Sequence, residues 1–169
     1  MESAPTGRPP KNKLHCFLLG KQYIILEMEG NMKVEVGCQW KGDMAFEADM
    51  DGHKIVIDAT PEVGGKDLGP RPKPFMLLAL AGCTGMDVIS ILKKMGQNVT
   101  WFNVRVESDQ TEEHPKHYSN FHIVYEFKAS DDLNRNKVDK AITLSQDRYC
   151  GVSEVLKKAA ELTHQVDYL

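Results

Sequence analysis

The sequence contains no C-x-x-C pair and no group of closely spaced cysteines. Its 169 residues include four cysteines that are far apart, Cys16, Cys38, Cys83 and Cys150. Structural zinc sites usually show paired ligands at short spacing, and small secreted disulfide scaffolds contain cysteine at much higher density. We therefore expect no metal site and a reducing, cytoplasmic environment, in which a cysteine is inert, catalytic or redox-sensing.

The sequence also lacks an excess of positive charge and a long apolar run. The formal net charge is −3, so no net field attracts nucleic acid or anionic membranes. A stretch of about 18 consecutive apolar residues is absent, which argues against a transmembrane helix. The motifs G-x-x-x-x-G-K-[ST], G-x-G-x-x-G and G-x-S-x-G are absent too, which disfavours phosphate binding and serine hydrolase chemistry.

The first 31 residues differ from the rest of the chain. They are rich in proline and lysine near the start and show no clear period, whereas Met32 opens the first strand pattern. We expect residues 1–31 to be a leader or a vector-derived extension, and a native flexible arm is the alternative. Residues 32–169 are expected to form one domain, because hydrophobic residues make up 41% of the sequence and occur along most of its length.

The first part of this domain predicts a three-stranded meander. Apolar and polar residues alternate from position 32 onward, and two further strands are indicated at 44–48 and 54–58. Asp51-Gly52 lies between the last two and is a strong hairpin signal, because both central residues of a type I′ turn need positive φ. A loop rich in glycine and proline follows at 61–74.

A long helix is predicted next, beginning near residues 72–74 and ending at Gly96. Proline is tolerated in the first helical turn, and Lys93 and Lys94 precede the glycine that caps the end. The first half of the helix is apolar on every side, which is typical of a helix that is buried all round. We expect a central helix with sheet wrapped over it.

The remaining sequence predicts two strands, two helices and a short last strand. The strands are expected at 99–108 and 121–129, the helices at 136–147 and 152–162, and the final strand at 166–168. The resulting order, βββ-α-ββ-αα-β, is typical of an α+β fold.

Cys83 is the first candidate for chemistry. It lies in the apolar helix between Gly82 and Gly85, and each glycine costs about 1 kcal/mol relative to alanine in a helix interior. Something is therefore expected to approach the backbone there, either a substrate or a packed element. Asp87 lies on the same helical face and needs a polar partner. The alternative is that Cys83 is a small buried hydrophobe, which is common for cysteine.

Cys150 is the second candidate. It lies between two predicted helices, and if it opens the second of them, exposed backbone N–H groups point toward its sulfur and favour the thiolate. Arg148 is two residues away and would add to this effect. A cysteine that begins a helix without any further role is the alternative. We expect no function for Cys16 or Cys38, and a solvated turn for His114-x-x-His117.

Three segments resemble the OsmC/Ohr family. Residues 69–88, GPRPKPFMLLALAGCTGMDV, resemble its central helix with the proline-rich lead-in, and 113–116 resemble its inter-strand loop. Residues 145–150, SQDRYC, are similar to its second cysteine motif. The resemblance runs in unbroken order from about Met32 to the end, and the two cysteine motifs together make it fairly specific.

The resemblance implies an intertwined homodimer in which antiparallel sheets from both chains wrap two long central helices. It also implies that Cys83 is the peroxidatic thiol and Cys150 the resolving thiol of a peroxidase. The implied substrates are organic hydroperoxides, and an external dithiol would restore the pair without a metal or bound cofactor.

The sequence departs from the family pattern at the groups that support the thiolate. A glutamate follows the proline that opens the central helix in the family, where this chain has Lys73 and Pro74. The family arginine from the early meander is absent too, and Lys41 or Arg71 is the nearest replacement. The alternative function is therefore a non-catalytic redox sensor, or a binder of apolar molecules between the subunits.

Overall fold

The computed structural model describes residues 33–169, and the proposed extension at 1–31 lies outside them. Within the described residues, Val36–Leu169 form one compact unit. This unit contains two small sheets, one long helix and two shorter helices.

The first sheet is the predicted antiparallel meander. It consists of β1 (Cys38–Gly42), β2 (Ala45–Met50) and β3 (His53–Ile57) in the order β1-β2-β3. Asp51 and Gly52 have φ values of 53° and 79°, which confirms the hairpin. The strand predicted from position 32 begins only at Cys38, because an alternating pattern forms a strand only where a partner strand lies beside it.

The buried carboxylate of Asp58 anchors the loop that leads into the long helix. It accepts hydrogen bonds from the backbone N–H groups of Ala59, Lys66 and Leu68 at 2.8–3.1 Å. A Cβ atom at Gly65 would lie 2.0 Å from the carbonyl oxygen of Ala59, so only glycine fits this close approach. A short 3₁₀ turn, Pro61–Val63, lies in the same loop.

The long helix is α1, Phe75–Lys94. It begins after Pro74, and Gly96 has a φ of 69° just beyond its end. These ends confirm the prediction, since proline precedes the first turn and glycine adopts the left-handed conformation that ends a helix.

The second sheet has the order β4-β5-β6, formed by β4 (Phe102–Glu107), β5 (Asn120–Phe127) and β6 (Glu161–Tyr168). β4 and β5 are antiparallel, as expected, but β6 runs parallel to β5. The sheet is therefore mixed. The helical connection returns the chain to the end of the sheet at which β5 begins. β6 therefore starts at the same end as β5 and runs parallel to it.

The connection contains α2 (Arg135–Leu144), a π-helical turn (Ser145–Tyr149) and α3 (Gly151–Leu156). A 3₁₀ turn, Ala129–Asp131, precedes α2. The predicted third helix extended to 162, whereas α3 ends at Leu156 and β6 already begins at Glu161. The apolar residues 162 and 166 therefore pack from a strand rather than from a helix.

One face of α1 packs against the second sheet and α2. Leu80, Thr84, Val88 and Leu92 are four residues apart in turn and fully buried, and they meet the buried side chains of β5 in the core. The prediction that α1 is buried all round is wrong for the single chain. Leu78 and Met86 on another face are 63% and 72% exposed.

By length and composition alone, α1 is also long and apolar enough to cross a membrane. The sequence was expected to contain no such segment. Buried helices can have the same length and composition, and α1 packs against β4, α2 and α3.

Candidate active site

Cys83 and Cys150 lie together in the folded chain although 67 positions separate them. Their Sγ atoms and a carboxylate oxygen of Asp87 all lie within 4.8 Å of one another. Cys83 is partly exposed on α1, whereas Cys150 is only 3% exposed at the start of α3. The two thiols and the carboxylate, which we call the Cys83–Asp87–Cys150 triad, form the candidate site.

The π-helical turn after α2 places Cys150 at this site. The Cys150 N–H donates to the Ser145 carbonyl at 2.8 Å, five residues back, and the backbone of Cys150 is then extended. π turns within helices are rare and are frequent at functional sites. The sequence predicted an uninterrupted helix to 147, whereas α2 ends at Leu144 and the π turn continues to Tyr149.

Cys150 caps α3 with its own side chain. The backbone N–H of Ser153 donates to Cys150 Sγ at 3.4 Å. Cys150 therefore opens the third helix, which was the condition stated for an effect of the helix start on its thiol. The Arg148 guanidinium lies over the ring of Tyr149, at 5.5 Å from the centroid.

The surroundings of Cys83 favour the protonated thiol. Burial raises the pKa of Cys83 above its usual value, and the adjacent Cys150 and Asp87 raise it further. The backbone N–H of Val152 opposes them by donating toward the sulfur. The balance requires a neighbouring base or a cation for Cys83 to react as a thiolate at neutral pH.

A buried chain of hydroxyl groups links the triad to the sheet. Ser145 Oγ donates to Asp87 Oδ2 at 3.0 Å and is hydrogen-bonded to Thr84 Oγ1 at 3.0 Å. Thr84 Oγ1 in turn lies 2.5 Å from the Tyr125 hydroxyl, which accepts from Gln146 Nε2 at 3.3 Å. This network supplies the partner that Asp87 was predicted to need.

Sequence reasoning missed Thr84, Ser145 and Tyr125. Thr84 and Tyr125 each sit in an otherwise apolar row, Thr84 on the buried face of α1 and Tyr125 among the buried residues of β5. A buried polar residue in such a row must be hydrogen-bonded. The position of Thr84 and Tyr125 in apolar rows could therefore have indicated a buried hydrogen-bond network. The partner of each residue depends on the packing of α1, β5 and the π turn together.

The two glycines beside Cys83 have different surroundings. A Cβ at Gly85 would lie 3.3 Å from Val104 Cγ2, so Gly85 allows β4 to pack closely on α1, whereas Gly82 has open space around its Cα. An open groove with a volume of about 400 Å³ lies here. Its lining is mostly apolar and comes from α1 and β4, namely Ala81, Gly82, Gly85, Met86, Ile89, Phe102, Asn103 and Val104.

The structure does not bring the two predicted supporting cations to the triad within one chain. Lys41 Nζ lies 3.3 Å from Glu47 Oε1 in the meander. Arg71 pairs with Asp67 at 2.5 Å and donates to the Gly69 carbonyl. Their carboxylate neighbours lie close in sequence and engage them locally.

The other candidates lie away from the triad. Cys38 is exposed in β1, and Cys16 lies outside the described residues. His114 and His117 are exposed in the loop before β5. Among residues 33–169, the triad is the only group of three or more potential metal ligands of the His, Cys, Asp and Glu types.

The chain is similar to several known proteins. The family model described as "OsmC-like protein" matches residues 64–165. Protein YhfA of Escherichia coli (strain K12) is 31% identical over 140 residues, which is 83% of this chain and 97% of that protein.

Solved structures share the fold. A hypothetical protein from Aquifex aeolicus VF5 has a TM-score of 0.69 at 26% identity, with 82% of this chain and 99% of that one covered. An organic hydroperoxide resistance protein OsmC from Legionella pneumophila has a TM-score of 0.60 at 13% identity, with 82% and 99% covered. At this identity the second likeness is one of fold alone.

Proposed function

Since this chain belongs to the OsmC-like protein family, we propose that it is a thiol-dependent peroxidase that reduces organic hydroperoxides. Cys83 is the peroxidatic thiol and Cys150 the resolving thiol. One observation carries this proposal: two free thiols from distant parts of the chain lie within 4.8 Å of each other, and one of them is partly exposed.

The proposed reaction has two steps on the enzyme. The Cys83 sulfur attacks the outer oxygen of the hydroperoxide, the O–O bond breaks, and the thiol proton ends on the departing alcohol. Cys83 becomes a sulfenic acid, which is two electrons more oxidised. The Cys150 thiol then displaces its oxygen as water and forms the Cys83–Cys150 disulfide.

An external dithiol would complete the cycle. It attacks one sulfur of the disulfide, and its own second thiol resolves the mixed disulfide, so that both cysteines return to the thiol form. A cavity of about 300 Å³ beside Cys150 supports this step, since Arg148, Gly151 and Glu154 line it with Cys150. A reducing cytoplasm would supply the dithiol.

We expect peroxide treatment of the reduced protein to give one disulfide within the chain, between Cys83 and Cys150. The reason is distance, because a disulfide needs Cα atoms within about 7 Å and converging Cβ atoms, and the thiols already face each other. Peptide mass mapping after alkylation of the remaining thiols measures the pairing. The Cys38→Ser variant is the matched control and keeps the disulfide. A product with Cys83 and Cys150 unlinked, and both alkylated as in the reduced protein, would contradict the two-cysteine mechanism.

We also propose that the protein is a homodimer. α1 carries an exposed stripe of apolar residues and glycine in addition to its buried stripe. The exposed stripe consists of Leu78, Gly82 and Met86. Trp40 in the meander is 62% exposed, and the meander strands make no extensive contact with α1 in the described chain. Apolar surface of this kind gains about 25 cal/mol per Å² when a partner covers it.

Met86→Glu is expected to convert the dimer into a monomer. The substitution places a carboxylate in the exposed apolar stripe, where burial by a second α1 would leave the charge unpaired, a change worth several kcal/mol. Light scattering at micromolar concentration measures the mass. Asn136→Glu, on an exposed position of α2, adds the same charge and is expected to stay dimeric. A native protein that is monomeric at this concentration would rule out the dimer.

A second candidate function is the binding of apolar molecules without catalysis. The open groove between α1 and β4 favours it, since its volume of about 400 Å³ lies within the range of small-molecule sites. The raised pKa of Cys83 points the same way. Peroxide consumption in the presence of dithiothreitol or dihydrolipoamide separates the two functions, because a binder consumes none.

A further inference from the structure

The Cys83–Asp87–Cys150 triad has the chemistry of a metal site as well as that of a redox pair. We propose that, in the reduced protein, this triad binds one thiophilic divalent cation of the zinc type through the two sulfurs and a carboxylate oxygen. Metal binding itself does not require peroxidase activity. The ligands come from α1 and from the start of α3. The two cysteines are therefore far apart in the sequence and do not form a recognisable metal-binding motif.

The distances suit a small tetrahedral ion. Zinc lies about 2.3 Å from cysteine sulfur and about 2.0–2.2 Å from carboxylate oxygen, which places two ligand sulfurs about 3.8 Å apart around it. The three donor atoms already lie within 4.8 Å of one another. Closing the site therefore needs side-chain shifts of about 1 Å, which small χ1 rotations supply.

The donor types select the class of cation. Two thiolates favour zinc, cadmium or cobalt over magnesium and calcium, which prefer oxygen ligands throughout. The three protein ligands leave the fourth position open to water on the side where Cys83 is partly exposed. Binding replaces the two thiol protons by the cation, so two protons leave for each metal ion bound.

Two of the three ligands also have a hydrogen-bond donor that holds them in place. The Ser153 N–H donates to Cys150 Sγ at 3.4 Å. Ser145 Oγ donates to Asp87 Oδ2 at 3.0 Å. Such donors orient the ligands of metal sites and stabilise their anionic form.

The carboxylate of Asp87 lies beside the two thiols without a cationic partner in the described chain. No ion pair found among residues 33–169 includes Asp87. The two sulfurs bind a metal ion as thiolates, so the cation takes the place of their protons. A divalent ion that binds all three groups supplies positive charge at the point where they converge.

The test is a competition for zinc between the reduced full-length protein and the chromogenic chelator 4-(2-pyridylazo)resorcinol. We expect about one zinc per chain, and a cobalt-loaded sample is expected to show a sulfur-to-cobalt charge-transfer band. The double variant Cys16→Ser, Cys38→Ser keeps the triad and retains binding. Native protein that competes for zinc no better than Cys83→Ser overturns the proposal.

Asp87→Asn distinguishes a three-ligand site from chelation by the dithiol alone. It keeps both thiols, and we expect it to lower the zinc affinity by at least tenfold, while Ser145→Ala lowers it by about 10- to 100-fold. Equal affinity of Asp87→Asn and native protein overturns the three-ligand site. Because Asp87 is only partly buried, this variant is expected to fold, and circular dichroism confirms that it does.

The same samples separate this proposal from the peroxidase. Peroxide consumption measured with the metal chelated tests the peroxidase alone, whereas zinc competition without peroxide tests the metal site alone. If both proposals hold, peroxide releases the zinc, because the disulfide removes both thiolate ligands, and bound zinc slows peroxide consumption. Zinc that stays bound after the Cys83–Cys150 disulfide has formed contradicts ligation by the two sulfurs.

Discussion

Replacing Cys83 by serine is expected to abolish peroxide consumption, with a loss of about 10³-fold or more, the order found when an enzyme loses its covalent nucleophile. Serine has the same shape but a hydroxyl far too weakly acidic to attack the O–O bond. The measurement is the disappearance of cumene hydroperoxide with dithiothreitol as reductant. Cys38→Ser, which removes an exposed thiol away from the triad, is expected to retain the native rate.

The pH dependence of the same reaction follows from the surroundings of Cys83. Burial, Cys150 and Asp87 raise its pKa, so the reactive thiolate becomes abundant only above the usual thiol range, and the rate should rise with pH through the alkaline region. Asp87→Asn removes one of the groups that raise the pKa of Cys83 and should move the pH profile of the rate toward lower pH.

Peroxide consumption by Cys83→Ser at the native rate would show that the assigned nucleophile is wrong.

The resolving role of Cys150 can be tested by the oxidation state that Cys83 reaches in the Cys150→Ser variant. In Cys150→Ser the sulfenic acid on Cys83 has no thiol partner in the chain, so we expect it to persist or to oxidise further to the sulfinic acid. Mass spectrometry after peroxide treatment detects the added oxygen atoms. An unmodified Cys83 in that sample would contradict its role as the first thiol oxidised.

Leu80→Ala is expected to lower the free energy of unfolding by about 2–5 kcal/mol. Leu80 is fully buried on the packed face of α1 and belongs to the core that surrounds the site. Removing its branched end leaves a cavity that the surrounding helices and sheet fill only in part. Denaturant unfolding followed by circular dichroism measures the change.

Leu78→Ala is the matched control for this prediction. It removes the same atoms two residues earlier, from a side chain that is 63% exposed. Any destabilisation there should act through the proposed dimer and therefore depend on protein concentration, whereas the loss at Leu80 should not vanish at high concentration. A loss below about 0.5 kcal/mol at Leu80, the level of ordinary surface changes, would show that α1 packs through another face.

Local patterns in the sequence determined most of the elements and some of their ends. The alternation in the meander, the Asp51-Gly52 turn and the glycine after α1 depend on interactions between residues that are close in the chain. The cap at Cys150 is of the same kind, because an N-cap bonds to a backbone group only a few residues later. Such features can be predicted from the sequence, because they form without contacts between distant residues.

Only the tertiary structure decided the direction of β6, the exposed face of α1 and the composition of the site. Whether β6 pairs parallel depends on where the helical connection returns to the sheet. The meeting of Cys83, Asp87 and Cys150 depends on the π turn that precedes Cys150. Asp87 finds its partner Ser145 across 58 positions, and no rule based on spacing identifies that pair. Helical and strand periods specify which face of each element is apolar, but the side chains of different elements meet only after packing has fixed the distances between them.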